Sequence, residues 1–191
     1  TVNQATQGLA TFLLFEYENP SVAIAYDSRI KSELFAKSAA GVLAANGIKV
    51  YIYKELVPTP MLSFAVRELK CKSGIIITAS HNPAEYNGYK CYDPEGYQMT
   101  DEAAEKTYEF IQKTDMFSDV KTMDFDEGLE KGIIEYIADK VYEEFYKRVE
   151  SCCLSLEECK NSGLKLIYTP LNGTGNIPVR INAKNPPSTN I

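Results

Sequence analysis

Six consecutive residues, Thr78-Ala79-Ser80-His81-Asn82-Pro83, set a hydroxyl beside the only histidine of the chain. Residues 74–79 (GIIITA) form a continuous apolar run of strand length. Ser80 therefore falls just past the carboxyl end of a strand, the edge at which open α/β sheets bind ligands. Adjacent Ser and His make a poor hydrolytic triad, because neighbouring side chains point apart and no third member is offered. There is no G-x-S-x-G elbow either. A phosphoryl-carrying serine is the better chemical fit. Phosphoserine carries about −1.5 to −2 charges and three acceptor oxygens, so it needs donors around it. His81, Asn82, Asn87 and Lys90 are the side-chain candidates, together with backbone N–H groups. Tyr86-Asn87-Gly88 reads as a turn that returns Lys90 toward Ser80, where a cation orients a substrate hydroxyl or exchanges a proton with it. From the residues alone two accounts stay open. One is a phosphoryl-transfer site. The other is a plain turn, with Asn capping the backbone, Pro stopping the ladder and Lys90 solvated.

Such a loop needs a sheet to hold it. Residues 4–17 carry apolar side chains at helical spacing, and Asn19-Pro20 ends them. Residues 21–26 (SVAIAY) suit a strand buried on both faces of a parallel sheet. Asp27-Ser28 can cap a helix over residues 31–46, with the stripe Leu34, Phe35, Ser38, Val42, Leu43 and with Gly47 at C′. Residues 48–53 give a second strand and complete a βαβ unit, whose crossover should be right-handed. Residues 61–69 read as a short helix, 74–79 as a third strand and 88–92 as an antiparallel edge piece. Thr100-Asp101-Glu102 opens a helix to about residue 113, with acids in its first turn.

Residues 115–132 have no clear period. Residues 133–137 are a short strand or the entry to a helix over 138–149, and 157–162 end a helical connection. Residues 163–169 (GLKLIYT) look like a fresh strand, followed by a tight turn over 170–175 and a helix opening at 177–180. The last eleven residues read as a loose tail. This organisation gives a first domain over residues 1–160 and, over 161–191, the start of a second domain plus the tail.

The 191 residues carry 20 basic and 26 acidic side chains, a net charge of −6. A chain of this length buries roughly 70% of its unfolded surface, enough for a core without disulfide staples. With 45% apolar and 24% charged residues, the composition is globular. The acidic balance argues against nucleic acid as a partner and leaves a small anionic ligand open. No stretch approaches the roughly 20 apolar residues of a membrane helix, so no membrane partner is expected. No signal peptide opens the sequence, and the missing Met suggests that residues before Thr1 are absent. The five cysteines, Cys71, Cys91, Cys152, Cys153 and Cys159, include no C-x-x-C pair. They read as reduced structural thiols of a cytoplasmic protein.

The T-A-S-H-N-P block, followed by Y-N-G-Y-K at residues 86–90, resembles the active-site serine segment of the α-D-phosphohexomutases, the superfamily of phosphoglucomutase and phosphomannomutase. Further segments resemble the same family: ATQGLA at residues 5–10, Ala25-Tyr26-Asp27-Ser28-Arg29, Pro58-Thr59-Pro60, and YTPLNGTG at residues 168–175. The last of these is most similar to the phosphoglucomutase and phosphopentomutase branch, although Asn172 stands where many relatives carry His. The resemblance covers about residues 4–180.

The resemblance implies a three-layer α/β/α sandwich around a mixed, mostly parallel sheet, with a stub of a second, similar domain. It implies that Ser80 is the phosphorylated serine and that His81 and Asn82, with Asn87, line the phosphate. It makes Lys90 the proton-transferring lysine and places Arg29 near the active site, where it joins the substrate- and phosphate-binding residues in a supporting role. A phosphate oxygen on Ser80 would be a Mg²⁺ ligand, and glucose 1,6-bisphosphate would prime Ser80. The implied reaction interconverts hexose 1-phosphate and hexose 6-phosphate, with glucose the first sugar and mannose the second. Phosphopentomutase, or a non-catalytic phosphosugar-binding relative, is the alternative. A generic nucleotide-binding protein would need a G-x-G-x-x-G or Walker loop, and neither is present. The family's glycine-arginine loop, its D-G-D-x-D-R metal loop and its sugar- and phosphate-binding domains have no counterpart in these residues. The remaining domains of the same chain are therefore implied partners, and the 191 residues alone are expected to be inactive.

Overall fold

A computed structural model describes residues 1–163 and 165–184. The chain divides into two compact units, Thr1–Ile137 and Ala138–Ile191. In the first, the described strands are β1 (Ser21–Tyr26), β2 (Lys49–Ile52), β3 (Ser73–Ile77), β4 (Tyr89–Tyr92) and β5 (Ile134–Tyr136). They form one sheet in the order β4-β3-β1-β2-β5. All neighbouring pairs are parallel except β3–β4, which is antiparallel at the edge as the sequence predicts.

The strands alternate their side chains between two helical layers. Val22, Ile24, Tyr26, Ile75 and Ile77 pack into a core with α1 (Val2–Glu16) and α2 (Ser32–Ala45). On the other face, Gly74 brings the sheet against Leu62 and Val66 of α3 (Thr59–Glu68), with no room for a Cβ. Ile75, Ile76 and Ile77 are each at most 1% exposed. Each contributes about 1.5–3 kcal/mol by burial, which fixes the strand that leads into the serine loop. The helix α4 (Asp101–Lys113) lies on α1, where Gly8 leaves space for Ile111 and Phe110 meets Phe12. The buried Gln7 exchanges two amide hydrogen bonds with Asn46 at 2.8 and 3.0 Å, tying α1 to the end of α2.

Several local expectations need correction. Asp27-Ser28 do not cap α2. Lys31 occupies its N-cap position at φ 66° without a side-chain bond, because the Asp27 carboxylate is turned to Arg29 and Ser32. Leu34 is 59% exposed, whereas Val42 and Leu43 of the expected stripe are buried, and the buried face also takes in Ala36, Ala39 and Ala40. These small residues let the helix lie close to the sheet. The region without a readable period contains α5 (Phe125–Glu130), capped by Asp124 accepting N–H bonds from Asp126 and Glu127 at 2.9 and 3.2 Å. Six residues are too few to display a stripe.

The second unit holds α6 (Asp139–Glu150), α7 (Leu156–Asn161) and α8 (Asn176–Lys184), with α6 packed on α8. The sequence boundary at residue 160 falls inside this unit. Residues 165–169 are not a strand. Ile167 is exposed and no described strand pairs with the segment, so its backbone groups gain no ladder. The tight turn is present, with Gly173 N–H donating to the Pro170 carbonyl at 2.8 Å. Of the expected tail, residues 181–184 continue α8, and 185–191 lie outside the described residues. No described helix is long and apolar enough to cross a membrane. Cys71, Cys91, Cys152 and Cys153 are free, and burial pushes the Cys71 thiol up to about 11 and the Cys91 thiol to about 12.

Gly88, just before β4, is where the fold constrains the serine loop most tightly. A Cβ there would lie 2.5 Å from the Thr78 carbonyl oxygen. Gly88→Ala is expected to cost about 1–3 kcal/mol, as overpacking does. The cost should be read as a lower thermal midpoint, and an unchanged midpoint would contradict this packing.

Candidate active site

The β3 ladder runs one pair beyond its last strand residue, with Thr78 N–H donating to the Gly88 carbonyl at 3.0 Å. Asp27 N–H likewise donates to Ile77, extending the β1–β3 pairing. At this edge the chain leaves the sheet and Ser80 takes φ 54°, the left-handed region. For a non-glycine residue that conformation costs about 1–2 kcal/mol, so its surroundings must impose it. Ser80 N–H donates to the Thr78 hydroxyl at 3.0 Å, and Asn82 N–H to the Ala79 carbonyl at 3.0 Å. The Ser80 side chain is exposed, with its Oγ 3.3 Å from His81 Nδ1.

Arg29 organises the loop. Its Nη1 donates to the carbonyls of Pro83 and Tyr86 at 2.8 and 2.9 Å. Its Nη2 donates to Ser80 at 2.8 Å and to Asn82. Nε faces Asp27 Oδ2 at 3.6 Å, and Asp27 Oδ1 accepts from Arg29 N–H and from the buried Ser32 hydroxyl at 2.9 and 2.8 Å. Asn87 closes the far end, its Nδ2 donating to Ser32 Oγ at 3.0 Å and to the Ile30 carbonyl at 3.2 Å. Ser32 has one hydroxyl proton, and the shorter contact directs it to Asp27, so the chain runs Asn87 to Ser32 to Asp27.

Of the residues expected at the site, Ser80, His81, Asn82, Asn87 and Arg29 meet in one loop. The Arg29 and Asn87 side chains are committed to holding it. Lys90 is half-buried on β4 opposite Ile76, and no hydrogen bond or ion pair joins it to Ser80. Strand alternation sets it on the same face as Tyr92, whereas Tyr89 turns the other way to meet the Thr6 hydroxyl. Burial raises the Tyr89 phenol well above its usual range, so this neighbour stays neutral. Asp27, Ser32, Thr78 and Gly88 were missed as parts of the site. The only sequence signal for them is their closeness to strand ends.

This geometry offers an exposed, pre-positioned hydroxyl beside an imidazole and a guanidinium-ordered backbone. It is not a triad, because no carboxylate among the described residues hydrogen-bonds His81. The described residues contain no group of three His, Cys, Asp or Glu able to hold a metal ion.

Comparisons with known proteins show which family the chain resembles in sequence and fold. Over 174 residues the chain is 40% identical to the phosphoglucomutase of Staphylococcus saprophyticus, covering 91% of this chain and 31% of that protein. Against the phosphoglucomutase of Staphylococcus aureus MRSA252 it is 34% identical over 182 residues, covering 94% of this chain and 31% of that protein. The chain thus spans about a third of the length of the curated relatives it matches. Among solved structures, it superposes on a protein of Thermus thermophilus assigned as a phosphomannomutase, with a TM-score of 0.80 and 26% identity over 98% of this chain and 39% of that one. Parafusin, a phosphoglucomutase of Paramecium, shares the fold with a TM-score of 0.71 and 17% identity, covering 96% of this chain and 37% of that one. Residues 1–117, more than half of the chain, match the family model for the phosphoglucomutase/phosphomannomutase alpha/beta/alpha domain I, and the chain belongs to that family.

Proposed function

We propose that these residues are the serine-bearing part of a cytoplasmic phosphohexomutase that interconverts hexose 1-phosphate and hexose 6-phosphate, glucose first and mannose second. The observation that carries this reading is Ser80, exposed at the sheet edge and held at φ 54° by a loop already ordered around it. Pre-positioning of this kind is what phosphoryl transfer asks of a protein, because its loose transition state leaves little covalent work to do.

In the proposed cycle, a substrate hydroxyl oxygen attacks the phosphorus of phosphorylated Ser80. The bond from phosphorus to Ser80 Oγ breaks, and the sugar leaves this step as a bisphosphate. After the bisphosphate reorients in the site, Ser80 Oγ attacks its other phosphorus, the bond from that phosphorus to the sugar oxygen breaks, and the freed sugar oxygen takes up the proton as a hydroxyl while Ser80 recovers a phosphoryl group. Lys90 is the group proposed to exchange the hydroxyl proton, and His81 and Asn82 line the transferring phosphate. Glucose 1,6-bisphosphate is the proposed primer of Ser80. Mg²⁺ is the proposed ion, taking an oxygen of the Ser80 phosphate as a ligand. Its other ligands are read as belonging to the remaining domains of the same chain, and no step above passes through the ion. The sugar phosphate and the remaining domains of the same chain are the proposed partners. Residues 161–191 are read as the start of the next domain.

Incubating the full-length protein with glucose 1,6-bisphosphate and Mg²⁺ should place one phosphate on the peptide containing Ser80, found by mass mapping. Ser80→Ala should abolish both label and turnover, and the 191-residue chain alone should not turn over. Label on another residue, or none on the full-length protein, would contradict the proposal. Lys90→Ala in the full-length enzyme is expected to lower kcat about 10²–10⁴-fold, the usual scale of proton-transfer catalysis, with KM little changed. An unchanged kcat would return Lys90 to a solvated role.

A further inference from the structure

We infer that Arg29 is the positioning residue of the serine loop and does not bind the substrate phosphate itself. The inference rests on the Ser80 reading and adds how that serine is held. Arginine has five N–H donors and no acceptor. Four of Arg29's are taken by the carbonyls of Ser80, Asn82, Pro83 and Tyr86, and the fifth faces Asp27. Its side chain is 12% exposed. Bidentate phosphate recognition needs two parallel N–H groups. Arg29 could offer them only by releasing two loop carbonyls.

Between its ends, which Thr78, Asn87 and Gly88 hold, the loop has little else to order it. Residues 80–86 are all exposed, so no buried side chain anchors them to the core. Their own bonds are short-range: Ser80 to Thr78, Asn82 to Ala79, Tyr86 to Pro83. Arg29 joins four points spread over seven residues, and it is fixed through Asp27 to β1. Asp27 in turn reaches Asn87 through the buried Ser32. One cation thereby ties the serine loop to two neighbouring strands.

The charge matters as well as the geometry. Four carbonyl oxygens carry their partial negative charge toward the guanidinium. A phosphate on Ser80 Oγ, on the same residue as one of those carbonyls, lies within about one Debye length (roughly 8 Å) of that cation. Arg29 thus favours a dianion on Ser80 without donating a hydrogen bond to it. Lysine cannot substitute, since three donors on a point charge do not span four carbonyls as a planar fork does.

The test compares full-length wild type, Arg29→Lys and Arg29→Ala by hydrogen exchange, steady-state kinetics and thermal melting. In both variants the Ser80, Asn82 and Tyr86 amides should exchange at least about tenfold faster, since local order is lost there, while β1 and β3 amides keep their protection. Turnover should fall about 100-fold through misplacement of Ser80, with KM for the sugar phosphate little changed and no rescue by lysine. Unchanged loop exchange overturns the inference. So does a rise in KM with kcat intact, or recovery by Arg29→Lys, each of which marks Arg29 as a ligand for substrate charge. If Arg29→Ala does not fold, Arg29→Lys and the wild-type loop decide. A wild-type loop whose three amides exchange as fast as free peptide also overturns it. A wild-type protein that neither takes up phosphate nor turns over refutes the mutase reading. In that case the exchange comparison still stands and judges the clamp by the same criterion.

Discussion

Four backbone carbonyls between Ser80 and Tyr86 converge on the Arg29 guanidinium, and the placing of the candidate nucleophile depends on that convergence. Left to water, an exposed segment of seven residues samples many conformations, and ordering each residue costs about 1–2 kcal/mol of backbone entropy. Ser80 adds a left-handed conformation costing about 1–2 kcal/mol. Charge-assisted hydrogen bonds contribute about 1.5–3 kcal/mol each when sheltered, and less with partial exposure. Four of them on a largely covered side chain offset a large part of this cost.

The sheet decides where that loop stands. β1 and β3 are parallel neighbours, so the chain leaves both at the same edge. Asp27 and Arg29 from the end of β1 thereby come beside Thr78 and Ser80 from the end of β3. The antiparallel β4 returns along β3 and brings Gly88 against Thr78, where a side chain would not fit. The three-layer core carries the cost of this arrangement. The buried isoleucines of β3 and the α1–α2 face hold the strands in register, and the functional groups gather on the irregular backbone that follows.

Much of this was legible in the sequence because it rests on burial and punctuation. The apolar runs at residues 21–26 and 74–79 mark two central strands, and T-A-S-H-N-P marks the loop and its serine. The roles of Arg29 and Asn87 were not legible, since Arg29 binds backbone carbonyls and Asn87 a carbonyl and a hydroxyl distant in sequence, partners that leave no mark in side-chain order. The strand expected over residues 163–169 fails in the described segment for the converse reason. A β-prone composition states a preference, and a strand also requires a neighbour. The exposure of Leu34 has a simple cause: the alanines of α2 turn a different face to the sheet than the larger side chains suggest.

The most direct measurement is a crystal structure of the full-length protein carrying phosphate on Ser80. The account predicts that Arg29 keeps the carbonyls of Ser80, Asn82, Pro83 and Tyr86, that Ser80 stays left-handed, and that other groups contact the phosphate oxygens. A guanidinium swung onto the phosphate, with those four carbonyls released to solvent, would contradict it.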